Sequence, residues 1–238
     1  MKKVEDLKIK IFSDGADRKN MLDMNSNTFI KGLTTNPSLM KKAGIKDYEA
    51  FAKDILSVIK EKPISFEVFS DEFDEMEKQA ARIASWADNV YVKIPITNTK
   101  KASSAELIKR LAKRKVKINI TAIMNIDQVK TIMPVLNHEV PSIISVFAGR
   151  IADTGRDPIP LMKNCLIEIK KNSKAELLWA SSRELLNIFQ ADQIGCHVIT
   201  VTKDIIKKLQ IVGYDLEEYS LDTVKTFHKD AVDSNFKI

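Results

Sequence analysis

The stretch Tyr91-Val92-Lys93-Ile94-Pro95-Ile96-Thr97 sets one lysine inside an apolar, β-rich run. A lysine facing the interior of a sheet loses the hydration that favours its ammonium form. The neutral amine is the form that attacks a carbonyl to make a Schiff base. The competing account is a strand-end lysine that snorkels to water. Two carboxylates, Asp14 and Glu67, stand at the ends of other β-rich runs and could divide acid and base duties around such an amine. Ion pairing with Lys93 or with arginines is their simpler role. Arg150 and Arg183 carry planar forks suited to phosphate, and Ser181 adds a hydroxyl donor. Arg183 also follows a strand at a predicted helix start, where backbone N–H groups favour an anion. Surface ion pairing is the alternative for both arginines.

These residues need elements to hold them. Short β-rich runs alternate with amphipathic helical stretches along the chain, the pattern of repeated βα units and a parallel sheet. Strands are expected at Lys10–Asp14, Ile30–Thr34, Ile64–Ser70, Val90–Pro95, Lys117–Thr121, Ile143–Phe147, Glu176–Ala180 and Cys196–Val201. Eight such runs imply an α/β fold, a closed (β/α)8 TIM barrel, whose usual length of about 250 residues suits a chain of 238. Helices are expected at Asp47–Lys60, stopped by Pro63, at Asp71–Trp86 with Ser70 as its cap, and at Asp127–Leu136. Others are expected at Pro158–Lys171, Arg183–Gln190, Thr202–Leu209 and, beyond the barrel, Ser220–Val232, within a C-terminal helix and tail over 220–238. No linker divides residues 1–238, so a single domain is expected.

Four strands share one alternation. Phe66 and Val68, Val92 and Ile94, Ile118 and Ile120, and Ile144 and Val146 form an aliphatic face expected to pack under helices. The alternate face is mixed: Ser65 and Glu67, Tyr91 and Lys93, Asn119 and Thr121, Ser145 and Phe147. That face points into the barrel and brings Glu67, Lys93, Thr121 and Phe147 to strand C-terminal ends, where barrel enzymes build their sites.

No run of about 18 apolar residues exists, which argues against a membrane span or membrane partner. The N-terminus has no apolar segment behind its lysines, and Cys165 and Cys196 lack metal-type spacing, so a reduced, cytoplasmic chain is expected. His138, His197 and His228 form no helical metal pair, and no metal site is expected. The net charge of +6 is a modest bias that could serve nucleic acid, a membrane surface or an anionic small substrate. The basic run Lys109–Lys117 carries Leu111 at helical spacing from Leu107 and Ile108 and lacks an aromatic stacking pattern, so it reads as a solvated helix face rather than a nucleic-acid site.

The run Gly32-Leu33-Thr34-Thr35-Asn36-Pro37-Ser38 closely resembles the first signature of the transaldolase family, and Val92–Thr97 resembles that family's Schiff-base lysine segment. The likeness continues through Asn119-Ile120-Thr121, Ser145–Asp153 and Ala180-Ser181-Ser182-Arg183, in the family's order. It implies a class I, metal-free barrel enzyme with no dissociable cofactor, in the short transaldolase/fructose-6-phosphate aldolase-like branch. By this resemblance Lys93 forms the imine with a ketose carbonyl, Asp14 shuttles the proton of the sugar C4 hydroxyl, and Glu67 with Thr121 positions a water. Asn36, Asn119 and Ser145 hold the dihydroxyacetone fragment with Thr34 nearby, and Arg150, Ser181 and Arg183 grip phosphate.

Fructose-6-phosphate aldolases typically have glutamine where this chain has Glu67 and tyrosine where it has Phe147; both positions here look like transaldolase. Phenylalanine has no hydroxyl to donate a proton, so an enamine can wait for an aldehyde acceptor. The resemblance therefore implies transfer of dihydroxyacetone from a ketose phosphate, such as sedoheptulose 7-phosphate or fructose 6-phosphate, to an aldose phosphate, as in the pentose phosphate pathway. An aldolase releasing dihydroxyacetone, another sugar-specific aldolase and a non-catalytic sugar-phosphate-binding barrel are the alternatives. Two departures bear on the roles. Asp14 lies in Phe12-Ser13-Asp14-Gly15-Ala16-Asp17, which makes Asp17 a rival acid/base, and Arg156 is added within Asp153–Pro158. The C-terminal stretch Ser220–Val232 resembles the terminal helix that short transaldolases pack on a neighbouring subunit, which implies a homo-oligomer.

Overall fold

A computed structural model describes residues 2–234; the end of the expected tail, 235–238, lies outside the described residues. Eight parallel strands close a barrel in sequence order: β1 Lys10–Asp14, β2 Ile30–Thr34, β3 Ile64–Glu67, β4 Val90–Pro95, β5 Ile118–Ile123, β6 Ser142–Val146, β7 Ala175–Trp179 and β8 Val198–Thr202. The α-helices among the described residues are α1 Arg18–Ser26, α2 Pro37–Lys42, α3 Tyr48–Val58, α4 Phe73–Ala84, α5 Ala105–Lys113, α6 Ile126–Ile132, α7 Ala148–Ala152, α8 Ile159–Ile169, α9 Leu186–Gln193, α10 Lys203–Lys207 and α11 Leu216–Asp233. The (β/α)8 barrel expected from the sequence is thus the observed architecture.

The alternation along the strands separates two apolar clusters. The outer one joins Phe66, Val92, Ile94, Ile120, Ile144 and Val146 to inward helix residues such as Ile55, Ile83, Leu107, Ile132 and Ile188. Each such fully buried side chain contributes about 1.5–3 kcal/mol, so the helix layer holds the barrel shut. The smaller inner cluster is Phe12, Ile143, Leu178, Ala180 and Val198, with Tyr91 and Phe147 against it. It plugs the lumen below the polar strand ends. Phe12 needs Gly32 opposite it on β2, because a Cβ there would stand 2.5 Å from the ring.

Several boundaries differ from the sequence expectation, each for a local reason. β3 ends at Glu67 instead of Ser70 because the Phe69 and Ser70 N–H groups both donate to Gln79 Oε1 of α4, at 2.8 and 3.1 Å. Ser70 does not cap α4: its hydroxyl accepts the Glu72 N–H at 3.1 Å, and the helix begins at Phe73. The helix expected from Arg183 begins only at Leu186, since Asn187 Oδ1 accepts the N–H groups of Arg183 and Glu184 in a turn. α11 starts earlier than Ser220 because Asp215 caps the N–H groups of Glu217 and Glu218. The basic run forms α5 and the turn after it, with Arg110 donating to Glu77 of α4 at 2.6 Å.

Candidate active site

β3, β4 and β5 lie side by side with Glu67, Lys93 and Asn119 in register, so three polar side chains of the inward face meet at one level. Lys93 is buried at 7 % exposure, which removes the snorkelling account. Its Nζ lies 3.3 Å from Glu67 Oε2 and donates to the Thr35 carbonyl at 3.1 Å. An ammonium taken this far from water needs such partners, and one of them is a carboxylate able to exchange its proton.

Asp14 closes β1 next to Thr34 on β2. The Thr34 hydroxyl donates to Asp14 Oδ1 at 2.8 Å and lies 2.5 Å from the Thr200 hydroxyl. Burial pushes the Asp14 pKa above the ordinary carboxylate value, while the Lys93 charge and the Thr34 hydrogen bond pull it back. Asp14 is thus a carboxylate made more basic by its surroundings, in the field of the buried Lys93. Asp17 is exposed and occupied as the N-cap of α1, accepting the Asn20 N–H at 2.8 Å. Asp14, and not the exposed and cap-engaged Asp17, is the one of the two that lies in the field of Lys93.

A second polar chain crosses the lumen. Ser145 Oγ donates to Asn119 Oδ1 at 2.7 Å, and Asn119 Nδ2 donates to Ser65 Oγ at 2.9 Å, all three buried. This fixes which face of the Asn119 amide each neighbour meets. The buried Thr121 hydroxyl has no hydrogen-bond partner among the described residues, leaving it free to bond a molecule entering the site. Just beyond it Ala122 takes a left-handed φ of 62°, and the β5–β6 register shifts between Ile120 and Ile123. Such a conformation costs on the order of 1–3 kcal/mol in a residue other than glycine. Asn36 caps α2 by accepting the Leu39 N–H at 2.9 Å, at the turn that follows β2.

The arginines follow the neighbouring strands β6 and β7, one on a helix and one on a loop. Arg150, on α7, is exposed and sits 5.8 Å from the centroid of the Phe147 ring. Arg183 makes a two-point ion pair with Asp153, its Nε donating to Oδ1 at 2.9 Å and Nη2 to Oδ2. The Arg183 hydrogen bond first and its charge second hold the Asp153 carboxyl below its usual range. This is the surface pairing that sequence reasoning left open for Arg183. It uses one edge of the guanidinium and leaves the other edge for an anion. The expected helix-start N–H site at Arg183 is not formed, because Asn187 takes that N–H. Ser181 has a left-handed φ of 63°, and its loop touches α7 where a Cβ on Gly149 would stand 1.6 Å from the Ser181 carbonyl oxygen.

Sequence reasoning missed Thr35, Thr200 and Tyr48. Thr35 acts through its carbonyl, which no side-chain pattern reveals, though it lies in the quoted signature. Tyr48 belongs to a helix distant in sequence from Glu67, whose backbone it contacts.

Comparison with known proteins shows the family of the chain. A sequence profile described as Transaldolase/Fructose-6-phosphate aldolase matches residues 11–238. A probable transaldolase of Dehalococcoides mccartyi is 32% identical over 203 residues, 84% of this chain and 90% of that relative. A probable transaldolase of Brucella ovis is 32% identical over 225 residues, 93% of this chain and 99% of its own length. One of Streptococcus equi subsp. equi is 32% identical over 226 residues, 93% of this chain and 97% of its own. The chain belongs to the transaldolase/fructose-6-phosphate aldolase family of enzymes.

Proposed function

We propose that this protein is a transaldolase, moving a dihydroxyacetone unit from a ketose phosphate to an aldose phosphate through a Schiff base on Lys93. The observation that carries the reading is the buried Lys93 amine, 3.3 Å from Glu67 and within the field of Asp14 at a barrel mouth. Lys93 Nζ attacks the ketose carbonyl after giving up a proton, and Glu67, with the free Thr121 hydroxyl, positions the water that carries protons as the carbinolamine loses water. Asn119, Ser145, Thr34 and Asn36 orient the dihydroxyacetone hydroxyls.

Asp14 then takes the C4 hydroxyl proton as the C3–C4 bond breaks, and the bonding electrons neutralise the iminium as an enamine. The positive charge that made Asp14 a weaker base disappears in the same step, so proton uptake and bond cleavage reinforce each other electrostatically. Arg150, Ser181 and the free edge of Arg183 grip the phosphate. Phe147 offers the enamine no acidic hydroxyl, which favours transfer to an aldehyde over release. The chemistry needs no metal or dissociable cofactor. We further propose a cytoplasmic homo-oligomer acting on sugar phosphates of the pentose phosphate pathway and binding neither nucleic acid nor membrane.

Incubation with fructose 6-phosphate followed by borohydride reduction tests the reading. Peptide mass spectrometry should find a dihydroxyacetone-derived adduct on Lys93, absent from Lys93→Met. No adduct with this donor or with sedoheptulose 7-phosphate would leave the sugar-phosphate-binding barrel as the better account. Free dihydroxyacetone formed without an acceptor aldehyde would identify an aldolase instead.

A further inference from the structure

The C-terminal end of β3 lacks part of its ladder. β2 pairs with β3 only through Leu33↔Ile64 and Thr34↔Ser65. Beyond these pairs, Asn36 turns the chain into α2. Glu67 therefore reaches the site without a β2 residue beside it. Its backbone is held from another direction: the Tyr48 hydroxyl accepts the Glu67 N–H at 2.8 Å and donates to the Glu67 carbonyl at 3.0 Å. One phenol thus satisfies both main-chain groups of the residue whose carboxylate faces Lys93.

The phenol is itself fixed. Tyr48 is the first residue of α3, directly after the capping Asp47, whose carboxylate accepts the Ala50 N–H at 2.9 Å. Its ring meets Phe69 edge-on at 4.4 Å between centroids, with Trp86 at 5.8 Å and Phe66 at 6.0 Å. Burial keeps the hydroxyl protonated by raising its pKa, so it remains a donor as well as an acceptor. A rigid ring with two hydrogen bonds on one residue transmits the position of α3 to the end of β3.

We propose that Tyr48 is a positioning residue for the reaction, replacing the missing β2 partner so that Glu67 is held against Lys93. This rests on the transaldolase reading, in which Glu67 handles the proton transfers of imine formation. Tyr48 touches no reacting atom; it acts through Glu67. Its loss should therefore slow turnover without changing how the donor sugar binds, and should matter only while Glu67 is a carboxylate.

A double-mutant cycle tests this. Tyr48→Phe should lower kcat by about 10- to 100-fold, the range for a misplaced catalytic group, with the donor KM within about two-fold. In the Glu67→Gln background the same change should alter kcat by less than about two-fold. A packing control is Trp86→Phe, which alters the ring's surroundings and keeps the hydroxyl; it should hold kcat within about two-fold even if it melts lower. An additive cycle, an unchanged kcat in Tyr48→Phe, or an equal loss in Trp86→Phe would overturn the assignment. A readout without sugar separates this from failure of the transaldolase reading: reductive methylation of Lys93 by formaldehyde, quantified by peptide mass spectrometry. Loosening the carboxylate should speed methylation at least about three-fold in Tyr48→Phe and in Glu67→Gln, with no further gain in the double variant. If wild-type protein forms no sugar adduct, the catalytic reading falls and this arm still decides the Tyr48–Glu67 coupling.

Discussion

Asp14 and Glu67 are carboxylates around one amine, and their surroundings differ in the way the proposed division of roles requires. Glu67 is a direct partner of the Lys93 ammonium, whereas Asp14 is raised chiefly by burial and bonded to Thr34. For Asp14 the sign of the linkage is the reverse of the usual aspartate. A carboxyl whose pKa is raised in the fold is most favourable there when protonated, so its contribution is present at low pH and is lost as pH rises through the raised value. At neutral pH the ionised group is a cost of folding, one that the proposed reaction would use. Asp14→Asn keeps an oxygen for the Thr34 hydroxyl and removes the charge. It should raise the Tm at pH 7 to 8 while lowering kcat by at least about 100-fold, the scale of a lost general base. Borohydride trapping should still label Lys93 in this variant with dihydroxyacetone itself, because that ligand requires no carbon-carbon cleavage. A lower Tm at pH 8, or loss of the adduct, would contradict the division of roles. Phe147→Tyr tests the other side of the chemistry: a hydroxyl beside the enamine should increase free dihydroxyacetone formed without acceptor, measured by coupled reduction.

The elements are joined at a few contacts that leave little freedom. Gly149 of α7 lies against the Ser181 carbonyl and donates its N–H to the Ala180 carbonyl at 3.2 Å, bracing the loop that carries Arg183. Gly149→Ala should move that loop, destabilise the fold by about 1–3 kcal/mol and raise the KM for phosphorylated donors more than for dihydroxyacetone, as steady-state kinetics can show. β7 and β8 share only the pairs Leu178↔Val198 and Trp179↔Ile199, and the His197 ring extends their contact by accepting the Leu177 N–H on Nδ1 at 3.0 Å. Burial lowers the His197 pKa, with Lys10 and Lys170 adding to the effect and Glu176 opposing it. The unfolded chain then binds the extra proton first, so this contribution is intact above about pH 6.5 and is lost as pH falls through the lowered value. His197→Asn offers an amide oxygen in place of Nδ1 and should flatten the fall in Tm between pH 7 and 5; an unchanged slope would show that His197 is not its source. These contacts also explain what the sequence could reveal. β1, β2 and β4 match their expected spans because alternation and composition act within each strand. The end of β3 depends on Gln79 and Tyr48, residues of other elements, and cannot be read from residues 64–70. α1 and α2 went unread because each buries a single side chain, Met21 and Met40, and so shows no apolar stripe, and α7 because its five residues are too few for a periodicity. Of the candidate site, the polar side chains of the strand ends were legible as types in place, while the Thr35 carbonyl at Lys93 and the Asp153 hold on Arg183 arise only from folding.

At the scale of the whole molecule, the barrel accounts for its own core and leaves α11 outside it. None of the helix's 18 residues is buried, and Leu216 and Phe227 are 79% and 68% exposed. Leu221, Val224 and Phe227 follow one another at three-residue steps, which puts them along one side of the helix. Few interactions within such a helix favour it in water, since isolated helices below about 12–15 residues are marginal and longer ones gain mostly from packing. An apolar side on an otherwise complete barrel is the mark of a surface that another chain covers. We propose that a second copy of this chain is that partner, as the family resemblance implies. Light scattering behind size exclusion should then give the full chain a mass that is a multiple of the monomer. Deleting residues 216–238, or changing Val224 and Phe227 together to Asp, should shift it to the monomer. The reacting groups, from Asp14 to Arg183, all lie before α11, so the monomeric variant should still form the Lys93 adduct. A full chain that is already monomeric at micromolar concentration would refute the pairing, whereas a truncated chain that stays oligomeric would move the interface to another face of the barrel.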